Sequence, residues 1–265
     1  MDSKKIVTNE NIHLSVVVMA KAAVPSRVKT RLTRGYALGP EDPDVSPTDH
    51  TPLSPEQAAK VHAAMFETVL QRLADQVTGP AGEPPILVLA MDDPTATPKN
   101  ASEAGWDVVE QGQGDLGERL ERVWRICRER HGTEAVVFFG VDSPDVPADV
   151  LRQVGPTLNN ARAALGPVED GGYWTLACRT FQPGLLRGID WGTPAVYDQT
   201  VHAAEALGLT LTVLPAWHDV DEPDDLAALQ RRLKQLDEPR EPALIALADR
   251  LDQLLNPPTP ETTRP

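Results

Sequence analysis

Cysteine is almost missing from this chain. Cys127 and Cys178 are the only two in 265 residues, so neither a disulfide framework nor a Cys-based zinc site is available. The six histidines are scattered without an H-x-x-x-H pair, which argues against a zinc hydrolase. No apolar run approaches the ~18 residues that a membrane-spanning helix needs. Cations are also short: 25 Lys and Arg against 39 Asp and Glu give a formal charge of -14. That balance excludes a general nucleic-acid surface, which requires basic stripes against phosphate. The segment Met1 to Asn11 is polar and lacks the apolar stretch of a secretory signal. The expectation is a cytoplasmic protein with two buried, free thiols.

What is present is an ordinary globular composition, 41 % hydrophobic and 24 % charged, in a chain long enough for one large domain or two small ones. Strand-like and helix-like patterns alternate along it, which predicts an α/β fold with a mainly parallel sheet. Apolar runs predict strands at 14–19, 85–90, 106–110, 135–140, 163–165, 173–178 and 209–214. Ser54-Pro55-Glu56-Gln57 carries the marks of a helix start, followed by Val61, Met65, Val69 and Leu73 as one buried stripe. Asp115 with Glu118 caps another helix, and further helices are expected over 224–236 and 241–255. Residues 1–12 and 256–265 read as flexible ends, and the Pro- and Asp-rich stretch within 35–53 as a mobile insertion.

Against the acidic background, Lys21, Arg27, Lys29 and Arg31 fall within eleven residues directly after the first strand. Ligands of parallel sheets bind at that edge, and a following helix start would add its dipole. The cluster is therefore a candidate phosphate site. Three other segments carry chemistry. Asp142, in Gly140-Val-Asp-Ser-Pro144, leaves the most apolar strand and is placed to hold a hard cation, although Asp-Ser-Pro is also ordinary turn chemistry. In His218-Asp-Val-Asp-Glu-Pro-Asp224, Asp221 fits a helix N-cap, which leaves Asp219 as the second candidate metal ligand. Asp170, in Val168-Glu-Asp-Gly-Gly-Tyr173, is a candidate base or hydroxyl ligand beside Gly171 and Gly172, in a segment that reads equally as a hairpin turn. Trp191 and Thr193 are candidate lining for an acceptor pocket, with Tyr173 beside the paired glycines.

Taken in order, Met19 to Leu32, Gln113 to Arg119, Gly140 to Pro144, Gly166 to Tyr173, and Asp219 to Asp221 with Asp225-Leu226 resemble the DUF2064 family. Its members are similar to GT-A-type glycosyltransferases and are sometimes labelled arsenosugar-biosynthesis glycosyltransferases. The resemblance spans roughly 13–235 and implies a Rossmann-like three-layer sandwich of the nucleotide-diphospho-sugar transferase kind; the catalytic domain is read as 13–236, followed by a C-terminal helix within 237–255. It also implies a nucleotide-sugar donor held by Lys21, Arg27, Lys29 and Arg31, a Mg²⁺ or Mn²⁺ ion on Asp142 and Asp219, and a small-molecule acceptor near Asp170, Gly171 and Gly172. The chain departs from the family in its first loop, where Ala23 and Ser26 stand in place of the Pro and Gly of Ala-Pro-x-Pro-Gly.

Two further readings stay open on the sequence. The first loop also resembles that of phospholactate guanylyltransferases, in which the same cations would hold a triphosphate and the acceptor would be a phosphate. The acidic run Val168-Glu169-Asp170 disfavours such an acceptor. The other reading is a non-catalytic protein that binds a nucleotide without turnover.

Overall fold

The computed structural model describes residues 12–34, 52–236 and 241–256. The expected flexible ends, apart from Ile12 and Asn256, and nearly all of the 35–53 insertion lie outside the described residues. The elements follow one another as β1 (Leu14–Ala20), α1 (Pro55–Gln76), β2 (Ile86–Met91), α2 (Lys99–Glu103), β3 (Asp107–Glu110), α3 (Leu116–His131) and β4 (Ala135–Phe139). The second half continues with α4 (Ala148–Thr157), β5 (Ala163–Pro167), β6 (Tyr173–Cys178), α5 (Val196–Ala206), β7 (Leu211–Val213), α6 (Pro223–Lys234) and α7 (Pro242–Leu255).

The seven strands form one sheet in the order β3-β2-β1-β4-β6-β5-β7, parallel except for β6, which runs antiparallel to both neighbours. Between β1 and β4 the chain changes its direction of growth across the sheet. The loops leaving these two strands therefore diverge and open a crevice at the carboxyl edge.

Alternation along the central strands sends side chains to opposite layers. Val16 and Val18 of β1 pack with Phe66, Val69 and Leu73 of α1, while Val17 packs with Leu120, Val123 and Cys127 of α3. A third cluster joins Val61 and Met65 of α1 to Leu229 and Leu233 of α6 and Leu247 and Leu251 of α7. The C-terminal helix thus completes a three-helix layer against the domain instead of standing apart. Cys127 and Cys178 are free and buried, and burial pushes their thiols up to about 11 and about 12. Both stay protonated at neutral pH and act as small apolar residues.

The capping chemistry read in the sequence is realised at two helices. Ser54 Oγ accepts from Gln57 N at 3.2 Å while Gln57 Oε1 accepts from Ser54 N at 2.9 Å, with Pro55 opening α1. Asp115 and Glu118 make the same reciprocal pair at 2.9 and 3.0 Å at the start of α3. Two expectations are corrected. The helix expected after the basic cluster is only a 3-10 turn, Thr30–Thr33, entered from a left-handed Lys29. Asp145 lies in the turn ahead of α4, where it is buried and receives Arg232 Nε at 2.6 Å. Asp221 is not the cap of α6. Pro223 occupies the first helical position, so the cap falls on Glu222, and Asp225 Oδ2 accepts from both Asp221 N and Glu222 N.

The loop after β4 is fastened from below. Arg72, 2 % exposed on α1, donates to Pro144 O at 2.7 Å and forks onto both oxygens of Glu241 at 2.8 Å. Replacing Arg72 by Met leaves Glu241 and the Pro144 carbonyl without their donors. The expected loss, read from urea unfolding, is ~3–5 kcal/mol. Arg72→Lys should recover only part of it, because a single ammonium does not reproduce the two-pronged geometry.

Candidate active site

The crevice at the carboxyl edge encloses about 450 Å³. Its floor is the loop after β4, with Gly140, Asp142 and Ser143. One wall is the β5–β6 turn with Asp170 and Gly172, continued by Trp191, Thr193 and Pro194 ahead of α5. The other carries Asp219, Asp221 and Arg31. Of the residues singled out in the sequence, Arg31, Asp142, Asp170, Gly172, Tyr173, Trp191, Thr193 and Asp219 share this cleft.

Local chemistry explains how each segment arrives there. Gly171 has a left-handed backbone (φ 89°), and a Cβ at that position would lie 2.1 Å from Pro194 O. Tyr197 N donates to Gly171 O at 2.8 Å, so the turn is clamped to the start of α5. Gly171 is thus required by packing between two loops. Asp170 Oδ1 accepts from Gly172 N at 2.9 Å, which orients this exposed carboxylate over the cleft. Gly166 gives Trp174 its space, since a Cβ there would meet the indole at 2.2 Å. On the far side, Val220 N donates to Asp142 O at 2.9 Å and joins the loop after β4 to the loop before α6.

Three carboxylates converge. One oxygen each of Asp170, Asp219 and Asp221 lies within 4.8 Å of the other two. Burial, with the charges of Asp170, Asp221 and Asp142 added to it, pushes the Asp219 carboxyl up to about 6. Oxygen ligands at this spacing are what a hard divalent cation binds. Asp221 is the member that the sequence reading gave to helix capping. The signal that would have released it is Pro223, which moves the cap one residue on.

The four cations of the first loop do not converge on one point. Arg27 Nη2 pairs with Asp92 Oδ2 at 3.0 Å, and Asp92 Oδ1 also accepts from Ala22 N at 2.7 Å, so that half of the loop is held to the end of β2. Arg31 Nη1 reaches Asp221 Oδ2 at 3.5 Å from the cleft side. Lys21 is exposed, and its carbonyl accepts from the buried His62 Nε2 at 3.1 Å. Lys29 is interior: its side chain is 4 % exposed and its ammonium donates to Asp142, to Val220 O and, at 3.2 Å, to Asp221. Burial by itself would lower the Lys29 pKa, yet Asp142 and Asp221 outweigh it and hold the ammonium above its usual range. For Asp142 burial pulls upward, and Lys29 more than offsets it, so the carboxyl stays below the ordinary carboxylate value.

The acceptor-side candidates are less free than the sequence implied. Thr193 Oγ1 donates to Asp190 O at 2.7 Å within its own loop. Among the described residues Tyr173 Oη and Trp191 Nε1 meet no hydrogen-bond partner, and both residues line the cleft. Burial pushes the Tyr173 phenol well above its ordinary value, which removes it as a proton donor or acceptor at neutral pH.

Strand order, the single antiparallel strand and the cleft at the β1/β4 crossover define the GT-A, or nucleotide-diphospho-sugar transferase, fold. The sequence profile of DUF2064, described as "Uncharacterized protein conserved in bacteria", matches residues 60–193, just over half of the chain. The chain belongs to that family. It is similar to the crystal structure of a "putative nucleotide-diphospho-sugar transferase" from Desulfovibrio desulfuricans G20. That likeness has a TM-score of 0.69 and 27 % identity, over 92 % of this chain and 97 % of the other. A cytidylyltransferase from Leptospira borgpetersenii serovar Hardjo-bovis is more distant, with a TM-score of 0.48 and 13 % identity over 94 % and 98 % of the two chains. No protein of curated function matches the sequence. Among the described residues, no helix is long and apolar enough to cross a membrane.

The Asp219 carboxyl sets a pH dependence in metal-free buffer. Its folded-state value of about 6 lies above the ordinary value of 3.8. The native state therefore holds a proton that the unfolded chain releases, and this stabilisation is full below pH ~4 and lost as pH rises through 6. Asp219→Asn should stabilise the protein by ~1–2 kcal/mol at pH 7.5, after discounting for partial exposure, and by little at pH 4.5. Urea midpoints at the two pH values, with chelator present, give the comparison.

Proposed function

We propose that this protein is a divalent-cation-dependent transferase that moves a sugar from a nucleotide-diphosphate donor to a small hydroxylated acceptor. The observation that carries the reading is the convergence of Asp170, Asp219 and Asp221 within 4.8 Å in a cleft at the carboxyl edge of a parallel sheet. The family resemblance and the likeness to the Desulfovibrio protein support the choice of donor class. The charge balance of the cleft fits a resident Mg²⁺ or Mn²⁺. Asp219 is raised first by burial and further by the negative charges of Asp170, Asp221 and Asp142, and the donor atoms are all oxygens.

In this reading Asp219 and Asp221 would hold the ion, with Asp142 on the floor of the same cleft. When bound, the ion supplies charge neutralisation for the departing diphosphate. Arg31, on the rim beside Asp221, is placed to meet the donor phosphates, with the exposed Lys21 further along the same loop. Asp170, oriented by Gly172 N, accepts the hydrogen bond of an acceptor hydroxyl and takes its proton as the new bond to the anomeric carbon forms. The indole of Trp191 and the ring of Tyr173 offer apolar faces against which a sugar ring can lie. The Asp170 side of the cleft carries Glu169 nearby, paired to His218 at 3.3 Å, and this acidic surface favours a neutral acceptor over a phosphorylated one.

The reading is tested by melting the protein with nucleoside triphosphates and nucleotide sugars, each with and without Mn²⁺. A ligand at about 100 times its Kd adds roughly 2.7 kcal/mol, an easily measured rise in Tm. Metal-dependent stabilisation by one nucleotide sugar and by its diphosphate is expected. Preference for a triphosphate would instead assign nucleotidyl transfer, and silence across the panel would overturn the enzyme reading. With the donor identified, Asp170→Asn should keep donor binding and lower kcat by roughly 10²–10⁴-fold.

A further inference from the structure

Lys29 is one of two non-glycine residues among those described with a left-handed backbone, at φ 47°. Such a conformation costs an L-residue roughly 1–2 kcal/mol, so something in the fold must hold it. Here the left-handed turn directs the side chain inward beneath the cleft. An ammonium has three N–H donors and no acceptor. All three of this one have partners: the Asp142 carboxylate, the Val220 carbonyl and the Asp221 carboxylate. Asp142 lies after β4 and Asp221 lies before α6, and the two loops are otherwise joined here by the Val220–Asp142 backbone bond. Arg31, two residues on, takes the other oxygen of Asp221 from the cleft side, so the Lys-x-Arg spacing straddles a single carboxylate.

We propose that Lys29 is a positioning residue, a built-in cation that ties Asp142 to Asp221 and so fixes the spacing of the carboxylates facing the cleft, instead of a ligand for substrate phosphate. The Lys29 side chain is 4 % exposed and its ammonium has no donor left over, whereas a phosphate ligand must present one to the cleft. The inference rests on the proposed function only for the identity of the ion used as a probe. Its first readout is taken without metal or nucleotide, so it stands or falls separately from the choice of donor.

The experiment is a double-mutant cycle of Lys29→Met and Asp142→Asn in chelator-treated buffer. Lys29→Met takes the ammonium away from Asp142 and leaves Asp221 with Arg31 alone, and its Tm should fall by roughly 10 °C. The double variant should lose clearly less than the sum of the two single losses, because removing both partners strands less charge. If Lys29→Met does not fold, the double variant still should, and its recovery gives the same answer. Additive losses, or a Lys29→Met protein as stable as the parent, would overturn the inference and return Lys29 to phosphate binding. A second measurement separates positioning from a merely structural contact. Millimolar Mn²⁺ alone should raise the Tm of Lys29→Met several degrees more than that of the parent, since a divalent ion can bridge the carboxylates the ammonium bridged. An equal Mn²⁺ response in both proteins would overturn the positioning role.

Discussion

Mutual repulsion among carboxylates is the constraint that the carboxyl edge of this sheet is built around. Asp142, Asp170, Asp219 and Asp221 come from three different loops and face one cleft. Two unit charges at 4.8 Å, the outer limit among three of these groups, repel by about 3–4 kcal/mol at an effective dielectric constant near 20. Loops carrying such charges drift apart unless something fixed lies between them or beneath them. Lys29 lies between. Beneath, two further ion pairs hold the same floor: Arg72 to Glu241 and the Pro144 carbonyl, and Arg232 to Asp145.

These buried pairs also account for the C-terminal helices. Glu241 sits at the start of α7 and Arg232 within α6, so each helix contributes a charge that reaches under the cleft loop. The apolar cluster shared by α1, α6 and α7 supplies most of the attraction, and the ion pairs set the register in which the helices dock. A buried pair adds little net stability compared with well-packed apolar groups, but losing one partner is costly. That asymmetry makes the arrangement a device for position more than for strength. It also explains why α7 belongs to the domain although the sequence marks it only as a separate apolar helix.

The sequence was informative wherever local rules act alone. Apolar runs locate all seven strands of the described residues, although β7 is shorter than its run, and the Ser54–Gln57 and Asp115–Glu118 patterns locate two helix starts by their own hydrogen bonds. α5, Val196–Ala206, carries no start signal to read, because its N-cap is Ala195 and offers no side-chain hydrogen bond. The Arg72–Glu241 contact joins positions 169 residues apart, and no local pattern encodes it. Within the site, the strand end brings Asp142 forward, the paired glycines Asp170, and the cap assignment Asp219, and all three line the cleft. What local reading cannot supply is direction. Lys29 and Arg31 look equivalent in the sequence, yet the left-handed turn sends one inward and leaves the other at the rim.

The basic cluster therefore has a different meaning in three dimensions than in one. Read along the chain, four cations in an acidic protein call for an external anion. In the fold, Arg27 is matched by Asp92, while Lys29 and Arg31 are matched by Asp142 and Asp221, all within the protein. Counting the carboxylates of the cleft against Lys29 and Arg31, the local balance stays negative. A diphosphate approaching that surface meets repulsion, except where a divalent cation is already seated or arrives with it. On the proposed reading, the metal is the link that lets an acidic cleft accept an acidic donor, and Lys29 keeps the carboxylates spaced to receive it. Ser26 fits the same account: it occupies a left-handed position (φ 63°) where the resemblance drawn from the sequence implies glycine. The loop thus keeps its turn at some conformational cost, and keeping the turn preserves the inward path of Lys29 three residues later.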